Sequence, residues 1–106
     1  MSNISEATEW FEVLQTSERT QTAIMTLKPG DESGPTAEAH DKSDQVLLML
    51  EGELNGEVGE ERPRLQKGDI ILIPAGTRHR FTNHGSQSAI TFNVYSPPAY
   101  SPGSKG

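Results

Sequence analysis

The chain has 106 residues, 32% of them hydrophobic and 23% charged, and it contains no cysteine. At roughly 100–200 residues per domain this is one domain and not two, and the missing thiols exclude disulfides, thiolate zinc sites and cysteine nucleophiles together. Fifteen acidic against nine basic residues leave a formal charge of -6, which repels phosphate backbones and anionic lipid, so neither nucleic acid nor a membrane is expected as a partner.

Residues 1–9 are polar and lack the apolar run of a secretory leader, and nowhere do about 18 apolar residues follow one another. A frayed or loosely docked end on a cytoplasmic protein is the expectation. Strands are then expected in order. Trp10 to Thr16 can begin one. In Thr20 to Leu27 the residues Ala23, Met25 and Leu27 alternate with threonines and Ile24, a two-residue period rich in β-branched side chains. Pro29-Gly30 stops that strand, and Asp31 to Thr36, with Gly34-Pro35 inside, reads as a loop. Val46 to Leu50 and Ile70 to Ile73 are apolar runs too short for helices, and both are read as strands buried on both faces. Between them lie a weak Glu53 to Val58 strand and a short one over Arg62 to Leu65. Arg78 to Thr82 and Ser88 to Tyr95 complete the set, separated by the turn signal Asn83-His84-Gly85-Ser86.

Ten glycines and seven prolines suit many short strands with tight turns. Roughly seven to nine such strands in one small domain mean a sandwich, a barrel or a jelly roll. From Ser96 onward, Pro97, Pro98, Pro102, Gly103 and Gly106 make a tail that cannot extend a sheet by ordinary ladder bonds. It is either disordered or a strap over the body.

Two of the three histidines sit in informative surroundings. Around the first the chain reads Glu38-Ala39-His40-Asp41-Lys42-Ser43-Asp44-Gln45. In an extended segment alternate side chains share a face, so Glu38 and His40 point the same way and supply half a metal site. Around the second it reads Gly68-Asp69-Ile70-Ile71-Leu72-Ile73-Pro74-Ala75-Gly76-Thr77-Arg78-His79, followed by Asn83. Pro74-Ala75-Gly76 is a turn, because proline fixes φ and glycine tolerates φ above zero. Asn83 is expected to support the adjoining turn, and His84 to be a solvated loop residue.

The stretch from Gly68 to Asn83 resembles the second cupin motif, with every fixed position filled. The earlier segment resembles the first cupin motif, with Glu38, His40 and Gln45 on its three ligand positions and Gly52 on its closing glycine. Glu38 stands where that motif has a histidine, Gln45 is an amide where an acidic ligand is common, and the opening glycine is displaced to Gly30 or Gly34. Asp44 competes with Gln45; Gln45 is preferred for its parity with Leu47 and Met49 and its distance to Gly52. The resemblance spans about Thr20 to Tyr95 and implies an all-β double-stranded β-helix, or jelly-roll barrel, as one domain over residues 1–106, with its core at 20–95 and polar or proline-rich ends at 1–9 and 97–106.

What the resemblance implies for chemistry is a divalent ion held by Glu38, His40, Gln45 and His79. Two imidazoles and one carboxylate are the donor set of non-haem iron(II), and manganese, nickel or zinc bind such donors too. On parity, Phe81 faces inward with His79, while Arg78 and Arg80 point out as surface or subunit-contact residues. Leu47 and Met49 join Gln45 on the wall of a pocket or core, and Tyr95 and Tyr100 are candidates for a second acid or base supplied by the barrel wall. Val46, Leu48 and Leu50, of opposite parity, need a cover, from a second sheet or another subunit. The tail from Val94 to Tyr100 looks like that of small cupins related to mannose-6-phosphate isomerase. The implied protein is a metal-dependent dioxygenase or isomerase of a small polar molecule, working as a homodimer; the alternative is a non-catalytic metal- or ligand-binding module. A third reading is a barrel whose site has decayed.

Overall fold

The computed structural model describes all 106 residues. Eight strands form: β1 (Phe11–Thr16), β2 (Gln21–Leu27), β3 (Asp44–Glu51), β4 (Glu53–Val58), β5 (Arg64–Gln66), β6 (Ile70–Ile73), β7 (His79–Thr82) and β8 (Ala89–Ser96), after one short 3-10 turn at Ile4–Glu6. A five-stranded sheet in the order β1-β2-β8-β3-β6 faces a three-stranded sheet in the order β5-β4-β7. Every strand pairing is antiparallel. This is the expected all-β jelly roll, and no helix is long and apolar enough to cross a membrane.

Alternation decides what each strand buries. Ala23, Met25 and Leu27 of β2, Leu47 and Met49 of β3, Leu54 and Val58 of β4, Ile73 of β6, Phe81 of β7 and Ala89 and Tyr95 of β8 meet in one core between the sheets. The two apolar runs are not buried on both faces as their composition suggests. Val46 is 37% exposed, Ile70 67% and Leu72 61%, because the second sheet covers only the inner face of the first. Hydrophobicity without period marks a strand but not what covers its outer side.

The closing glycine, Gly52, has φ +73°, and a Cβ there would lie 2.6 Å from the Ser88 carbonyl oxygen. It is the point at which β3 passes into β4 against the start of β8, and only a residue without a side chain fits. Asn83, fully buried, donates to the carbonyls of Leu27 and Gln87 (2.8 Å each) and accepts from the Gly85 amide. It supports the turn, as expected, by replacing backbone partners that the loop cannot supply.

Both chain ends dock. The tail is a strap: the Ser104 carbonyl accepts from the Val13 amide (2.8 Å) and the Gly106 amide donates to the Phe11 carbonyl (2.7 Å), while Trp10 Nε1 donates to the Gly106 carbonyl. Gln21, buried, holds the strap's middle, accepting from the Tyr100 amide (3.0 Å) and donating to its carbonyl (2.8 Å). At the other end Glu12 accepts from the amides of Thr8 and Glu9 (2.7 and 2.9 Å) and from the Thr8 hydroxyl. Those donors hold its carboxyl below the usual carboxylate range, with Lys105 adding attraction.

Two outcomes are expected. Gly52→Ala should lower stability by more than about 2 kcal/mol, through strain at positive φ plus a backbone clash, read as a lower denaturation midpoint. Because the folded Glu12 carboxyl binds its proton more weakly than the unfolded one, its contribution is full above the ordinary carboxylate pKa and is lost as pH falls through the folded value. Glu12→Gln should therefore be less stable at neutral pH and lose less on acidification, as denaturant titrations across that range will show.

Candidate metal centre

The site is assembled from three separate pieces of chain. Gln45 comes from β3 of the larger sheet and His79 from β7 of the smaller one. Glu38 and His40 come from the connection between β2 and β3. That connection is not a strand at this point: it makes one antiparallel bridge, Glu38 with His79. The two residues exchange both backbone bonds, Glu38 N–H to the His79 carbonyl at 3.1 Å and His79 N–H to the Glu38 carbonyl at 2.8 Å. Directly opposed residues in such a pair project to the same face, so one bridge aligns Glu38 with His79. Farther along, the Gly76 amide donates to the His40 carbonyl at 2.8 Å. The Pro74-Ala75-Gly76 turn, with Gly76 at φ +82°, thus holds the loop that carries His40.

Arg78 and Arg80 fasten the same connection from outside. Arg78 donates to the Ala37 carbonyl at 2.9 Å, and Arg80 donates to the Gly34 carbonyl at 2.7 Å while pairing with Glu32 and with Glu57. They point outward as parity requires, but within this chain their partners are the loop. The pairing with Glu32 raises the Arg80 pKa. Sequence alone did not connect these arginines to the loop, since their partners lie more than forty residues away.

All four candidate donors line one cavity of about 600 Å³, together with Trp10, Phe11, Tyr95 and Tyr100. The His40 and His79 rings lie 5.2 Å apart between centroids. His79 Nδ1 sits 3.0 Å from the Thr77 carbonyl; a carbonyl only accepts, so Nδ1 is the donor and Nε2 is the nitrogen left for ligation in the neutral ring. His40 is half-buried, and burial followed by repulsion from His79 pushes its pKa down, Glu38 opposing. Neutral imidazole is the form that ligates. Tyr95 is buried and Tyr100 partly so, and their phenol pKa values are raised chiefly by burial.

Gln45 lies on the inner face of β3 and is buried, whereas Asp44 is exposed and accepts from the Ala75 amide at 2.9 Å. Gln45 Nε2 donates to Asn93 Oδ1 (3.0 Å), and Asn93 Nδ2 in turn to Thr91 Oγ1 (2.9 Å). Thr91 Oγ1 itself donates to the Met25 carbonyl (3.4 Å), so it accepts from Asn93, and the relay leaves the Gln45 oxygen as the end turned away from Asn93. Gln45 Oε1 is left as the chain's only buried side-chain polar atom without a partner, an omission that typically costs about 1–3 kcal/mol. A buried acceptor lacking a donor is what an oxygen ligand for a cation looks like before the cation arrives. The donor chemistry therefore fits a divalent ion. The side chains nonetheless do not close on one point: no three His, Asp or Glu groups are gathered tightly enough to hold an ion as they stand. Glu38 is exposed at the rim, and His40 Nε2 faces the Tyr100 hydroxyl at 3.5 Å.

A small jelly roll with histidines from two separated segments facing one internal cavity defines the cupin class. The chain matches the cupin domain family over residues 23–95 and belongs to it. Among curated relatives, an uncharacterised protein of Acanthamoeba polyphaga mimivirus is 32% identical over 86% of this chain and 58% of its own length. The tetracenomycin polyketide synthase protein TcmJ of Streptomyces glaucescens is 34% identical over 72% of this chain and 50% of its own length. The chain thus spans only about half to three-fifths of these relatives. Among solved structures, a protein of Bacillus halodurans superposes with a TM-score of 0.89 at 26% identity, covering 99% of this chain and 86% of that one.

Proposed function

We propose that this cupin binds one divalent metal ion through His40, His79, Gln45 and Glu38 and acts on a small molecule in the adjoining cavity, as a dioxygenase or an isomerase. The observation that supports it is Gln45 Oε1, an unpartnered buried acceptor on the wall of the cavity that both histidines line. In this reading His79 is held in its ligating tautomer by the Thr77 carbonyl, and Gln45 by the Asn93 relay. Glu38 swings in from the rim to complete the set. Iron, manganese, nickel and zinc all suit these donors. A bound ion would supply Lewis acidity and, with iron, a place for oxygen. One relative is named a polyketide synthase protein, and family likeness of this kind does not fix a reaction.

The competing reading is a non-catalytic module in which the ion or a small ligand only stabilises the barrel. The open spacing of Glu38, His40 and His79 favours the version of it in which a small ligand, and no ion, is bound.

The protein is further read as a cytoplasmic homodimer. The outer face of β3 and β6 carries Val46, Ile70 and Leu72, all exposed and adjacent through the Val46–Leu72 and Leu48–Ile70 pairs. An apolar patch of this kind on a domain with formal charge -6 calls for a cover, and a second copy supplies one by two-fold symmetry.

Protein purified without chelator or added metal should carry close to one iron, manganese, nickel or zinc by elemental analysis, and a saturating ion at a hundred times Kd should add about 2.7 kcal/mol of stability. His79→Ala and His40→Ala should abolish both; a wild type with neither metal nor thermal shift refutes the metal reading. Light scattering at tens of micromolar should give twice the chain mass, and Leu72→Glu should give the monomer.

A further inference from the structure

On the wall of the cavity the Tyr100 hydroxyl oxygen lies 3.5 Å from His40 Nε2. Hydrogen bonds between nitrogen and oxygen ordinarily close to about 2.7–3.2 Å, so this pair is wide for one. It has the width of a different arrangement. Nitrogen and oxygen donors stand roughly 2.0–2.2 Å from an ion such as zinc, and across a tetrahedral angle two of them are then about 3.3–3.5 Å apart. The histidines obey the same geometry. With roughly 1.1–1.2 Å from ring nitrogen to ring centre, two imidazoles on one tetrahedral ion have centroids about 5.2 Å apart. Those of His40 and His79 are 5.2 Å apart.

The place of Tyr100 is fixed by the fold. Gln21, fully buried on β2, accepts from the amides of Tyr100 (3.0 Å) and Ala99 (3.2 Å) and donates to the Tyr100 carbonyl (2.8 Å). The phenol ring is packed between Phe11 at 4.8 Å and Tyr95 at 5.3 Å, measured between centroids. Backbone clamp and ring packing together set where the hydroxyl stands. Glu38, by contrast, is exposed at the rim and has to travel to reach an ion.

We propose that Tyr100 is a metal ligand, its phenol oxygen joining His40, His79 and Gln45 on the ion without the movement that Glu38 requires. The proposal rests on the metal reading above and adds to it a donor carried by the strap. On binding, the oxygen bonds to the ion and the phenol proton leaves to water. Tyrosine serves as an anionic oxygen ligand to iron in haem proteins, so the donor type is chemically sound.

The test follows colour as well as affinity. Iron(II) is added to the purified protein without oxygen and then oxidised to iron(III) with ferricyanide. The wild type should develop the broad visible charge-transfer band of a phenolate on iron(III), and Tyr95→Phe should keep it. The chain has two tyrosines, so a band that survives in Tyr95→Phe belongs to Tyr100, even should Tyr100→Phe bind no iron. Where Tyr100→Phe does bind iron, it should be without the band. Calorimetric zinc titration should show Tyr100→Phe weaker than wild type by about tenfold or more. A residue that only supports a ligand can cost about 10–100-fold in affinity too, and the band separates the two roles. Tyr100→Phe removes one oxygen and leaves the Gln21 clamp intact, and circular dichroism checks the fold of both variants. Iron(III) protein without the band, a band lost in a folded Tyr95→Phe or kept in Tyr100→Phe, or equal or tighter zinc binding by Tyr100→Phe, as expected of a hydroxyl that merely caps His40, overturns the proposal. Metal uptake with any of those outcomes defeats this proposal alone; a wild type that takes up no metal defeats the metal reading and this proposal with it.

Discussion

The pair of backbone hydrogen bonds between Glu38 and His79 is the constraint on which the site depends. It is a sheet contact one residue long, yet it ties the long β2–β3 connection to the smaller sheet and sets two side chains on one face. The arginines on either side of His79 then fix the connection from the outer surface, and the Gly76 amide fixes the residue after next. Loops this long are ordinarily mobile. Here the loop is held at intervals by groups belonging to a single strand and the turn before it, so the position of His40 is inherited from β7.

Much of this could be read from the sequence, and the reasons differ by element. The alternation in Gln21–Leu27 announced the strand and its inner face, although Ile24 on the other side is also buried, at 2% exposure. The turn at Pro74-Ala75-Gly76 and the buried Asn83 were legible because backbone geometry restricts which residues can stand there. Gln45 was preferred to Asp44 for its parity with Leu47 and Met49 and its distance to Gly52, and the structure sets Asp44 on the outside, bound to Ala75. The outer exposure of Val46, Ile70 and Leu72 was not legible, since a continuous apolar run does not say what lies on its second face. Nor was the place of Tyr100 beside His40, although the residue itself was a candidate: it depends on Gln21, seventy-nine positions away, and no local pattern encodes such a contact.

The cavity also shows how a small core accommodates chemistry. Around Gln45 the inner surface is well satisfied: Asn93 and Thr91 answer one another, and Leu47, Met49 and Phe81 fill the space below. The single buried polar atom left unmatched belongs to a residue that lines the same cavity as two imidazoles and the two phenols Tyr95 and Tyr100. Buried side-chain polar atoms are partnered throughout the barrel with one exception, which lies among the functional groups of the cavity, and a site and its scaffold are commonly distinguished in this way.

The strap has a consequence for the larger sheet as a whole. By bonding to the backbone of Phe11 and Val13 it seals the margin of β1, while the opposite margin, β6, is only four residues long and remains open. Unsealed margins invite intruding strands. The larger sheet, with one closed and one open border, can recruit a neighbouring strand only from the β6 side. Loosening the tail would convert a lopsided particle into one with two adhesive borders, able to string copies into a chain.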